Sequence, residues 1–123
     1  MTRRFIQHVG LWIESAADGK SRLTLNVEPH HMNGLGIVHG GVLFTLADTG
    51  MGAAIYPQLG EGNACATVEI KINYFKPASA GALVCTSEVV HRSRTLANVD
   101  SWVHAGDVLL AKANGTFAIF EKR

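Results

Sequence analysis

The sequence predicts an α+β domain in which a long, mainly antiparallel sheet curls around one helix. Three observations carry this. The stretch from His39 to Tyr56 reads as one long, mostly apolar helix. Two strand-like runs precede it and three or four follow it, separated by turn-forming residues. No repeat, linker or low-complexity segment interrupts the 123 residues, so the whole chain, 1–123, is expected to form one domain.

Val9 to Ala17 and Leu23 to Val27 read as the first two strands, joined through Ala17-Asp18-Gly19-Lys20, where Asp-Gly is a strong hairpin signal. In the second strand Leu23, Leu25 and Val27 alternate with Arg22, Thr24 and Asn26. Pro29 ends it. The loop from His30 to Val38 has two glycines and no Asp, Glu, Lys or Arg, which suggests packing against a ligand or another subunit.

The helix comes next. Val42, Leu43, Phe44, Leu46, Ala47, Gly50, Met51, Ala53 and Ala54 cover well over half of its circumference, so other elements should wrap it. Asp48 is the only Asp, Glu, Lys or Arg between Pro29 and Gly60, and it lies at the edge of the apolar arc. Burying an unpaired charge is expensive, which marks Asp48 as a working group or a carboxylate bonded to Thr45 or Thr49. Pro57 and Gly60 stop the helix. Ala64 to Tyr74 then sets Val68, Ile70, Ile72 and Tyr74 against Thr67, Glu69, Lys71 and Asn73. Ala82 to His91, Leu96 to His104 and Val108 to Phe120 complete the sheet. Its edges invite pairing with a second copy.

Composition narrows the function. The formal net charge is +1, too balanced for a general nucleic-acid or anionic-membrane binder. The apolar helix is shorter than a membrane span and is interrupted by Asp48, Gly50 and Gly52. No signal peptide follows the basic start Met1-Thr2-Arg3-Arg4-Phe5, so a cytoplasmic setting is expected. Cys65 and Cys85 read as small buried hydrophobes. His30, His31 and His39 lack a Cys or carboxylate partner at ligand spacing, so no metal is expected. No nucleophilic-serine elbow, phosphate loop or dinucleotide fingerprint is present.

Asn33, then Val38-His39-Gly40-Gly41, then Asp48, then Asn73-Tyr74-Phe75-Lys76-Pro77 form a pattern. In it the chain resembles the hotdog-fold acyl-CoA thioesterases, especially the phenylacetate-degradation-type (PaaI-like) branch, from about Gly10 to Phe120. The resemblance implies a homodimer formed by pairing sheets, often as a homotetramer, that hydrolyses a fatty or aromatic acyl-CoA without metal or organic cofactor. It maps the helical base or nucleophile to Asp48 and the carbonyl-polarising amide to Gly40. The residue placing water or thioester maps to Asn33, the motif histidine to His39, and a strand hydroxyl, often Ser in the family, to Thr67.

Residue chemistry agrees with these roles. Gly40 and Gly41 open the helix, where amides lack intrahelical partners and the dipole is positive. That suits a developing oxyanion. Eight residues of helix rise by roughly 12 Å, so one chain's Asp48 cannot reach a carbonyl held at its own Gly40. If both act, the catalytic unit is a dimer with two symmetric sites. Arg92, Ser93, Arg94 and Thr95 form either a solvated turn or a contact for the CoA phosphates. Phe44, Met51, Ile55 and Phe75 are either core or the lining of an acyl tunnel. Two rival functions stand beside hydrolysis: a hotdog hydratase or dehydratase acting on acyl thioesters, and a non-catalytic acyl-CoA-binding domain.

Overall fold

A computed structural model describes residues 4–123, so Met1, Thr2 and Arg3 of the basic start lie outside the described residues. The order is α1 (Phe5–Val9), β1 (Leu11–Ala17), β2 (Lys20–Asn26), α2 (Gly40–Ile55), β3 (Asn63–Tyr74), β4 (Ala82–Arg92), β5 (Leu96–Ala105) and β6 (Val108–Glu121). The six strands form one antiparallel sheet in the order β1-β2-β4-β5-β6-β3, with α2 packed against it. β1 and β3 are therefore the sheet edges. This is the hotdog fold, a curled sheet around one central helix, and four strands follow α2. Among the described residues no helix is long and apolar enough to cross a membrane.

The first hairpin turns at Asp18 and Gly19, with φ of 55° and 74°. Two consecutive positive φ values make the primed turn that matches strand twist, and Asp-Gly tolerates it. The core has two lobes along α2. One gathers Leu23, Leu25, Leu46, Leu83 and Leu110, and the other Met51, Ile55, Val99 and Phe117. Burial of each such side chain stabilises by about 1.5–3 kcal/mol before entropic costs.

Between the lobes the contact is polar and close. Ser21, Ser87 and Ser101 are aligned across β2, β4 and β5 and are buried. The Ser21 hydroxyl donates to the Gly50 carbonyl at 2.6 Å, the Ser101 hydroxyl donates to the Ala47 carbonyl at 3.3 Å, and Ser87 and Ser101 share a 2.6 Å hydrogen bond. Small side chains on the sheet and bare backbone at Gly50 let helix and sheet approach here.

Several sequence expectations change. Val9 belongs to α1, a short helix the apolar pattern did not reveal, so β1 starts at Leu11. β2 starts at Lys20 because the two-residue turn allows pairing from its first residue, Ala17 with Lys20. Thr24 keeps the face of Arg22, as the alternation expects: both donate to Glu14, although Thr24 is buried. Ile55, read as core or tunnel lining, is fully buried and belongs to the core. Val68 is displaced from the β3 alternation by a bulge between Thr67 and Glu69 and stands 63% exposed. Gly115 of β6, paired with Ile70, leaves room for core side chains: a Cβ there would lie 2.6 Å from Met51 Sδ and 2.9 Å from Ile70 Cγ1.

Candidate active site

The loop before α2 is a small hairpin. Met32 bridges Val38, and the Asn33 amide donates to the Ile37 carbonyl at 2.8 Å. Asn33 Oδ1 accepts from the amides of Leu35 (2.8 Å) and Ile37 (3.3 Å). These bonds fix the side chain and leave its NH₂ group as the donor able to meet a ligand. The loop is anchored below by His31, which is buried. The Glu28 amide donates to His31 Nδ1, so the proton sits on Nε2, which donates to the Val9 carbonyl at 2.5 Å. His31 is thus a satisfied core histidine.

His39 is the N-cap of α2: the Gly41 amide donates to its Nδ1 at 2.8 Å. A Cβ on Gly41 would stand 2.9 Å from that nitrogen, so the cap requires glycine there. The Gly41 amide is therefore occupied. Gly40 is the first helical residue, and its amide has no intrahelical acceptor. Tyr74, at the end of β3, lies over this helix start and its hydroxyl donates to the Gly40 carbonyl at 3.0 Å. Burial pushes the Tyr74 hydroxyl up in pKa, which keeps it a donor. Asn33, Gly40, Tyr74, Phe75 and Pro77 line one cavity of about 380 Å³.

Asp48 opens onto a different cavity, of about 450 Å³. Its Oδ1 accepts from the Thr67 hydroxyl at 2.7 Å. Cys65, two residues before Thr67, also lines this cavity. Burial first, and then the neighbouring Asp48 charge, push the Cys65 thiol up, so it stays protonated and is a poor nucleophile.

Asn33, His39, Gly40 and Gly41 therefore gather at one end of α2, and Asp48 with Thr67 along its length. The hydrogen bond joins Asp48 to Thr67 and not to Thr45 or Thr49 of its own helix. Arg92, Ser93, Arg94 and Thr95 line neither cavity. The Arg92 guanidinium donates to the Gln58 carbonyl, and Ser93 closes its own turn with Leu96. Arg94 and Thr95 border a separate cavity with Asn63 and Glu121. Met51 and Ile55 are core, whereas Phe75 lines the Gly40 cavity. Cys85 is buried as expected, but Cys65 is only partly so. The sequence indicated neither Tyr74 over Gly40 nor Cys65 beside Asp48, because alternation shows which face a strand residue takes and not what it meets across it.

A hotdog sheet with a capped helix start at one end and a helical carboxylate bonded to the edge strand is compatible with a thioesterase. Comparison with known proteins agrees. A family model described as the thioesterase superfamily matches residues 35–112. Human acyl-coenzyme A thioesterase 13 is 33% identical over 93% of this chain and 84% of its own length. Acyl-coenzyme A thioesterase PaaI of Escherichia coli is 33% identical over 70% of this chain and 60% of its own. A solved structure of a conserved Pseudomonas aeruginosa protein superposes with a TM-score of 0.92 at 37% identity, covering 98% of this chain and 96% of that one. The chain belongs to the thioesterase superfamily and is a thioester hydrolase.

Proposed function

We propose that the protein hydrolyses an aromatic or medium- to long-chain acyl-CoA to the free acid and CoA in a site built by two copies of the chain. The observation that carries this reading is that Gly40 and Asp48 open onto different cavities of one chain. The helix rise of about 12 Å between them exceeds the reach of a carboxylate to a bound carbonyl.

β3 supports the pairing. It is bonded on one side only, to β6, and it exposes Val68 and Tyr74. Thr67, which holds Asp48, and Tyr74, which holds Gly40, lie on this same strand seven residues apart, or about 23 Å. Antiparallel pairing of β3 with its copy, about a two-fold axis midway between them, sets the Asp48–Thr67 unit of one protomer opposite the Gly40–Tyr74 unit of its partner. The resemblance extends the reading to two such dimers forming a homotetramer.

In this site the free Gly40 amide at the positive helix end polarises the thioester carbonyl. Asn33 places the water or the thioester, and His39 keeps the loop and helix start in position. Asp48, oriented by Thr67, acts as general base or as nucleophile. As a base it takes a proton from water while the water oxygen bonds to the carbonyl carbon. The C–S bond then breaks, CoA leaves as thiolate and takes up the proton.

Incubation with a panel of aliphatic and aryl acyl-CoAs, with free thiol as the readout, tests the reading. Thiol release that Asp48→Asn abolishes supports it. Absence of release across all chain lengths overturns it.

A further inference from the structure

Two glycines lie two residues apart in α2, and only one is explained by packing within the chain. A Cβ on Gly50 would sit 2.7 Å from Ser87 Oγ and 3.2 Å from Cys85 Sγ, so the helix needs bare backbone against the serine row. Among the described residues a Cβ on Gly52 would meet only Phe117 Cε2, at 4.0 Å, an ordinary van der Waals contact. Its φ is helical, so no turn geometry requires glycine. Glycine weakens a helix interior relative to alanine.

Gly52 lines the Asp48 cavity, four residues beyond the carboxylate. Residues three or four apart share a helix face, so Gly52 leaves open the space directly along the helix from the carboxylate. The cavity continues past Ala53 to Tyr56, eight residues and about 12 Å from Asp48. Ile13 and Phe117 add apolar wall. Among the described residues no lysine or arginine lines the cavity, so a second carboxylate entering it finds no partner there beside the Asp48 charge.

We propose that this groove is the acyl slot, that it takes an uncharged apolar acyl group, and that Gly52 sets the width of the group it admits. The proposal rests on the thioesterase reading above. A ring or branch one helical turn from the reacting carbonyl fills the space that a side chain at position 52 would occupy.

The test compares the wild type with Gly52→Ala and Gly52→Val on acetyl-CoA, hexanoyl-CoA, cyclohexylacetyl-CoA and glutaryl-CoA, reading thiol release. Sedimentation of each variant checks the assembly. The expected result is a fall of about tenfold or more in the kcat/KM ratio of cyclohexylacetyl-CoA to acetyl-CoA for Gly52→Val, carried by KM, with Gly52→Ala between it and the wild type. Glutaryl-CoA should be at least about tenfold poorer than hexanoyl-CoA in the wild type. An unchanged ratio in both variants overturns the proposal, because the groove then holds a part common to every acyl-CoA. A change in assembly with no change in the ratio also overturns it and assigns Gly52 to the contact between copies. Equal rates on glutaryl-CoA and hexanoyl-CoA overturn the requirement for an uncharged group. If the wild type hydrolyses none of the four, the thioesterase reading itself fails, a result distinct from an unchanged ratio.

Discussion

The Thr67 hydroxyl donates to Asp48 Oδ1 at 2.7 Å, fastening a helical carboxylate to the edge strand of the sheet. One bond thus links the candidate reacting group to the strand on which two protomers are proposed to meet. Removing the carboxylate by Asp48→Asn should lower kcat by about 10²–10⁴-fold, the usual worth of a positioned base. Thr67→Ala should cost roughly tenfold, as expected for one hydrogen bond to a charged group, and Thr67→Ser should restore most of the loss. Steady-state kinetics with pH profiles of kcat/KM check both. A Thr67→Ala enzyme with an unaltered pH profile and an unaltered kcat would remove Thr67 from the mechanism.

A shared site makes a prediction about mixtures. Chains carrying Asp48→Ala and chains carrying Asn33→Ala should each be inactive, while a mixed dimer keeps one intact pair of half-sites. Co-refolding the two and measuring thiol release should recover part of the activity. Verified mixed dimers that stay inactive would place Asn33 and Asp48 in one chain's site.

The helix cap depends on a pair of residues. His39→Ala removes the acceptor of the Gly41 amide, and Gly41→Ala drives a Cβ to 2.9 Å from it. Each should cost about 1 kcal/mol of stability. The double variant should cost clearly less than the sum, because both changes break the same bond. Thermal melts of the three variants give the comparison, and strict additivity would assign the two residues separate roles.

The two helix glycines should respond in opposite directions. Gly50→Ala forces a methyl group into Ser87 and should destabilise by about 1–3 kcal/mol despite alanine's better helix propensity. Gly52→Ala should stabilise by about 0.5–1 kcal/mol, since its methyl meets Phe117 only at ordinary van der Waals distance and the unfolded chain loses freedom. Urea unfolding measures both.

Alkaline stability should follow the buried thiol. Burial pushes Cys85 up to about 11 from its ordinary 9.0. Above pH 9 the unfolded chain ionises this thiol while the folded chain keeps it protonated, so stability falls as pH rises from about 9 to 11. The loss is on the order of 2 kcal/mol. Cys85→Ala should lower stability at neutral pH through the lost packing and flatten the slope between pH 9 and 11. An identical slope in the variant would show that other groups govern alkaline unfolding.

Much of the molecule was legible because local rules and tertiary packing agree. The Asp18-Gly19 turn needs two positive φ values, and the structure has them. The apolar run after His39 forms one wrapped helix, and the lone Asp48 within it lies on a cavity and not in the core. Less was legible where a side chain's neighbour lies far along the chain. Val68 looks inward by alternation, yet a bulge turns it outward. Ile55 reads as core or tunnel lining from its place in the helix, and only its burial in the second core lobe decides between them.

By itself the sequence determined the fold class, the helix and its start, the family resemblance and the identity of the lone carboxylate. Each depends on periodicity, on glycine and proline, or on charge within a few residues, which are properties of adjacent positions. Only the tertiary structure decided that Asp48 bonds Thr67 and not Thr45 or Thr49, that Tyr74 closes over Gly40, and that Gly40 and Asp48 face separate cavities. Those relations join residues 19 and 34 positions apart. Strand register, the bulge and the curl of the sheet set them, and no local pattern encodes these three together.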